Sequence, residues 1–387
     1  MKFIKIFITI TILLSSCGQR HSTNEIPTID AYGAVKQNVI TQKLSSFAQT
    51  CQYIPLETND DCIIDVIRNF YLTDKQIIIT SGKECWVFDR NNGKFLNKIS
   101  SYGQGPNEHL GFRATAWDKN KQLLYIISNY GGHLLCYNLK GEVVNRISRF
   151  NQHQMRNMSL LDSDTYIGNI GNDTGEEEKR LIVGSFLNDS IHIVPNFSFF
   201  TVEQPDPSAF LAVSDNSEVQ FYQFDNTVYL KELFIDTIFE IRKPYDLTPK
   251  YVFDMKDLKF PQDLRGKIVG FGRNKPNYIF HDKSYETKDY LFSLFIYNNM
   301  MTAGILNKND YSYLVADRQK EDTDFFGLQN DLYGSIPFWP KYTSDEGEMV
   351  TWHNAYKLIE YIEENKIDIA TLSDLNEDDN PVIIIAK

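Results

Sequence analysis

Residues 101–112 read SYGQGPNEHLGF, which places Glu108 and His109 in a glycine-rich loop with Arg113 directly after it. A carboxylate, an imidazole and a guanidinium so close together are the types needed to orient a polar ligand or to move a proton. The glycines raise a second chemistry, a phosphate cradle. That needs Gly-x-Gly-x-x-Gly between a strand and a helix, or Lys-Ser/Thr closing the loop, and neither context stands here. Gly103, Gly105 and Pro106 therefore read first as a chain turn. Glu108, His109 and Arg113 remain candidate ligand contacts.

Other candidates are scattered. Lys231 and Glu232 interrupt the apolar run TVYLKELFID. Charges in such a run need partners or water, so the pair marks a channel-facing position, a bulge or a solvent-facing edge. Trp339, Tyr342 and Trp352 offer flat faces on which a sugar could stack, and equally core packing. The loop DLNEDDNP, residues 374–381, concentrates acids but lacks the spacing and the glycine of a calcium hand; it reads as a turn. No GxSxG, SxxK, HExxH or CxxC occurs, so no nucleophile, metal ligand set or cofactor is expected. Cys51, Cys62, Cys85 and Cys136 sit in apolar runs and read as buried free thiols.

The N-terminus carries the clearest address. Lys2 and Lys5 precede an apolar run from Ile6 to Leu14, too short to span a bilayer, and small residues follow. This is a secretory signal over residues 1–16. Leu14-Ser15-Ser16-Cys17 resembles a bacterial lipobox, which makes Cys17 the lipid-bearing residue and the membrane a partner through that anchor. Gly18, Gln19, Arg20 and His21 follow where surface-exported lipoproteins carry acids, so a periplasm-facing anchor is expected. Residues 17–45 read as the lipidated Cys and a polar tether. The formal net charge is −12, and −14 without the first 16 residues, which hold two lysines and no acid. That argues against nucleic acid as a partner.

What must position these residues is a repeat. GKFLNKIS at 93–100 returns as GEVVNRIS at 141–148, an offset of 48 residues. Each copy follows an apolar strand and a turn, NNG or KG, suited to a hairpin with positive φ. The offset is close to the period of a four-stranded propeller blade. Strand-like runs continue in groups of four, and five such units precede an irregular sixth. There, 353–366 reads as an amphipathic helix, with Tyr356, Ile359 and Ile362 on one side and Glu360, Glu363 and Glu364 toward water. That last unit is one strand short, and CQYIPLE at 51–57 is a strand without a hairpin partner. Pairing it with NPVIIIAK closes the ring and removes an open edge.

The segments VFDRNNGKFLNKISSYGQGPNEH, DTIFEIRKPYDLTPKYVFDM, PFWPKYTSDEGEMVTWHNAYKLIEYIE and DDNPVIIIAK together resemble the six-bladed β-propeller lipoproteins of gut-type anaerobic bacteria, related in architecture to the NHL and TolB-like propellers. In that family the glycine loop usually reads Gly-Pro-Gly-Glu followed by an aromatic, whereas Gly-Pro-Asn-Glu-His stands here. The resemblance implies an all-β fold: six four-stranded antiparallel blades over residues 46–387, the ring closed by an N-terminal strand, with a helical insertion in the last blade. The expected role is an envelope lipoprotein that binds a carbohydrate, a peptide or a partner protein without catalysis. A hydrolase or lyase working at the central funnel is the alternative class, and an accessory subunit of a nutrient-uptake complex is a third.

Overall fold

The computed structural model describes residues 26–387 apart from 101, 106, 130–131, 148–149, 151–154, 189, 203–217, 268–276 and 321–322. The signal segment 1–16 and Cys17 lie outside the described residues, as does Pro106.

The chain forms six antiparallel sheets around one axis, a six-bladed β-propeller. The innermost strands are Asn69–Leu72, Phe112–Asp118, Met155–Asp162, Val219–Phe224, Phe280–Glu286 and Tyr342–Thr343, taken as blades 1 to 6. The sixth blade is assembled from both ends of the chain. Its outermost strand, Cys51–Pro55, pairs antiparallel with Val382–Ala386, from Cys51 opposite Ala386 to Pro55 opposite Val382. The clasp continues to the last residue, since the Lys387 carbonyl accepts from Gln49 N at 2.6 Å and Thr50 N at 2.9 Å.

The buried apolar side chains gather in the seams between blades, not at the axis. Ile77, Ile79, Trp86 and Phe88 of blade 1 pack on Val350, Ile383 and Ile385 of blade 6. Their neighbours Ile78, Cys85 and Val87 point the other way, onto Leu124, Ile126 and Leu135 of blade 2. Both faces of each middle strand are thus covered. That is why the runs Ile77–Ile79 and Cys85–Phe88 are continuously apolar and do not alternate. The repeated turn glycine serves the same seams. Gly93 (φ +71°) would place a Cβ 2.0 Å from the Pro55 carbonyl of blade 6, and Gly141 (φ +82°) would place one 2.9 Å from the Lys98 carbonyl of blade 1. In blades 1 and 2 the hairpin therefore abuts the outer strand of the blade before it, and a residue without a side chain is needed there.

Two expectations need correction. First, the tether does not extend to residue 45. Thr28–Ile29 adds a parallel fifth strand to the outer edge of blade 4. The short helix α1, Ala31–Ala34, follows, capped by the Asp30 carboxylate. Ile40 N then donates to Val315 O of blade 5 at 2.8 Å, and Leu44 N donates to Gln329 O at 2.8 Å. Ile29, Ala31, Val35 and Leu44 are buried, so this segment is a strap across blades 4 and 5 leading to the clasp. Second, in the helix α2, Ala355–Asn365, the buried side chains are Ala355 and Leu358 while Tyr356 faces solvent. The helix packs more N-terminally than its apolar spacing indicates, with Tyr361 and Ile362 at the margin of the seam between blades 5 and 6.

Candidate functional site

The innermost strands enclose a central channel of about 1360 Å³. They run in one direction, so the two ends of the channel differ. Where the strands begin, the lining cations are Arg68, Arg113, Lys283 and Lys341, and among the described residues no Asp or Glu lines that mouth. The Arg68 guanidinium lies over Gly82, where a Cβ would be 3.2 Å from its central carbon. Lys341 donates to the Trp352 carbonyl at 2.7 Å, and burial brings its pKa down to about 8. The guanidinium groups of Arg68 and Arg113 have no ion-pair or hydrogen-bond partner among the described residues.

At the opposite mouth, cations and acids are matched. Arg90 donates to Glu348 at 2.5 Å, Lys387 stands 3.5 Å from the same carboxylate, and Lys119 pairs with Asp345. Between the mouths the wall is aromatic and hydroxylated. Trp352 stacks on Phe70 at 5.5 Å, and Tyr342 meets the same ring edge-on at 5.2 Å. The Tyr71 and Thr115 hydroxyls are bonded at 2.8 Å across blades 1 and 2.

A smaller pocket lies in the seam between blades 3 and 4. Arg156 pairs with Asp173, Arg180 with Glu232, and Arg265 with Glu218. Arg180 lies over Phe197 at 4.3 Å, and Arg265 over Phe234 at 4.7 Å. Burial pushes the Glu218 carboxyl up to about 7, against the pull of Arg265. These residues are far apart in sequence and follow no local motif, so only the blade arrangement discloses the cluster.

The residues singled out from the sequence divide into two groups. Arg113, Tyr342 and Trp352 line the channel. The others do not. The Glu108 carboxylate turns back on its own loop, accepting from Gly105 N at 2.7 Å and filling the space over Gly103. His109 is 1% exposed; its Nδ1 accepts from Gly111 N at 3.2 Å and its ring packs 4.4 Å from Phe112. Burial lowers its pKa to about 4. Lys231 is fully buried and donates to the Asp282 carbonyl, with its pKa brought down to about 7 by desolvation. Glu232 is the partner of Arg180. Trp339 lies in the seam between blades 5 and 6, edge-on to Phe292 at 5.6 Å.

The four cysteines of the described chain are free; Cys62, Cys85 and Cys136 are buried and Cys51 is half-buried. Burial raises the thiol pKa values of Cys51 and Cys136 to about 11, which keeps both protonated and unreactive. The acidic loop closes on itself, Asn376 N donating to the Asp379 carboxylate at 2.8 Å. Among the described residues no three His, Cys, Asp or Glu side chains are grouped to hold a metal ion, and no helix is long and apolar enough to cross a membrane.

The architecture is shared with solved structures at low identity. A Bacteroides fragilis NCTC 9343 protein described as exported aligns with a TM-score of 0.66 at 17% identity, over 94% of this chain and 99% of that one. A member of the DUF4221 family from Bacteroides vulgatus aligns with a TM-score of 0.50 at 11% identity, over 88% of this chain and 96% of that one. No curated protein matches. The model of a domain of unknown function, DUF4934, matches residues 26–387, and the chain belongs to that family.

Proposed function

We propose that this chain is a lipid-anchored envelope protein whose propeller binds its ligand in the central channel and does no chemistry on it. The observation that carries the reading is the channel itself. Two arginines whose side chains have no partner among the described residues and an aromatic wall converge there from separate blades. Unsatisfied guanidinium donors beside flat apolar rings are the makings of a recognition site. The anchor rests on the signal segment and Cys17, and the description of the Bacteroides fragilis neighbour as exported supports an envelope location. The ligand classes are a carbohydrate, a peptide or an envelope partner.

Two measurements test this. Cys17→Ser should move the protein from the membrane pellet to the soluble fraction; a protein that stays in the pellet refutes the anchor. On glycan and peptide arrays, the full-length protein in detergent should bind members of one class, and Trp352→Ala should reduce that binding by about tenfold. Binding that ignores Trp352→Ala would place recognition outside the channel.

A further inference from the structure

The ligand chemistry follows from the contrast between the two mouths. The whole chain is acidic, with a net charge of −12, yet the mouth where the inner strands begin is lined by Arg68, Arg113, Lys283 and Lys341 and, among the described residues, by no acid. Five other arginines are held by carboxylates. The folded chain thus has acids available for its arginines, and none of those on the described residues lines this mouth. An unpaired guanidinium is a planar fork that matches a carboxylate in a bidentate pair. Arg68 and Arg113 stand on adjacent blades at the same level: Gly82, over which the Arg68 guanidinium lies, accepts from Phe112 N at 2.9 Å. Below them, Tyr342 and Trp352 present rings, and Tyr71 and Thr115 hydroxyls. The space, about 1360 Å³, exceeds that of a typical small-molecule pocket, about 300–1000 Å³.

We infer that the channel takes an acidic oligosaccharide, its uronate carboxylates held by Arg68 and Arg113 and its pyranose faces against the aromatic wall. This rests on the channel reading above and adds the charge and class of the ligand. A peptide offers carboxylates too, but no row of C–H faces for the rings.

The test is calorimetric titration of the full-length protein in detergent. Uronate hexasaccharides (oligogalacturonate, alginate and chondroitin) are compared with the neutral maltohexaose and xylohexaose, and with hexaglutamate. At least one uronate should bind about tenfold or more tightly than both neutral sugars, and more weakly as salt is raised. Arg68→Met and Arg113→Met should each shrink that preference about tenfold, with the thermal midpoint confirming the fold. Neutral sugars binding as well as every uronate would overturn the inference while leaving channel binding intact. Hexaglutamate binding as tightly, with the same dependence on arginine, would overturn the carbohydrate class. No binding of any uronate overturns the inference. If Trp352→Ala also leaves every array signal unchanged, the channel reading falls with it.

Discussion

His109 shows how one side chain can carry the type of a catalytic group and the environment of a core residue. Its ring is buried and packs on Phe112. Burial and the neighbouring His133 hold its pKa down, with Glu108 opposing, at about 4 against an ordinary 6.5. Between those values the unfolded chain takes a proton that the folded chain refuses. The stability contributed by the neutral ring is therefore full above pH 6.5 and is lost as pH falls toward 4. His281 and His353, also buried and lowered, act in the same direction. His109→Phe should give a shallower fall in thermal midpoint between pH 7 and pH 5 than the natural protein. Parallel curves would refute this account. At this scale the sequence was least legible. Residue type identified Arg113, Tyr342 and Trp352, but Lys231 and Trp339 were equally plausible until the faces of their strands were known. Arg68 carried no signal of its own, because its meaning lies in the missing partner.

Strands were far easier to read than side chains. The 48-residue repeat, the turn glycines and the apolar runs located every blade, because each blade solves one problem: covering both faces of its middle strands. The clasp was legible by counting, one strand short at one end and one spare at the other. The strap was not. Its residues are polar and mixed, and only a few, such as Ile29 and Leu44, are buried. The turn glycines give the prediction at this scale. Gly93→Ala forces a Cβ against the Pro55 carbonyl as well as a left-handed backbone. Gly141→Ala meets its neighbouring carbonyl at a longer distance. The left-handed conformation alone costs about 1–2 kcal/mol, so both variants should lower the denaturation midpoint, Gly93→Ala by more. The reverse order would mean that the seam between blades 6 and 1 yields easily.

For the whole molecule, the strap extends the described fold to the N-terminal side of the clasp. A chain begun at residue 46, the boundary expected from the sequence, keeps all six blades but loses Ile29, Val35 and Leu44 from their seats. Full burial of one such side chain contributes about 1.5–3 kcal/mol, offset in part by the entropy of ordering the segment. Removing residues 26–45 should lower the thermal midpoint by a few degrees, at about 1–2 °C per kcal/mol for a chain of this size. An unchanged midpoint would reduce the strap to decoration. The same deletion should leave uronate binding in place, since no strap residue lines the channel.

The clasp joins residues 337 apart in sequence, Thr50 and Lys387, and the strap enters it from blade 4. A pull on the N-terminal side, such as the proposed anchor at Cys17 would exert, is therefore not delivered to the clasp first. It loads the short pairing of Thr28–Ile29 with Val252–Phe253 on the outer rim of blade 4. Tension then has to shear that pairing and draw Leu44 from its seat before it reaches the strand that closes the ring. The strap works as a strain relief, of the kind that keeps a tug on a cable from reaching the connector. If the proposed anchor ties it to a membrane, the propeller can be jostled there without a direct pull on the strand that closes its ring.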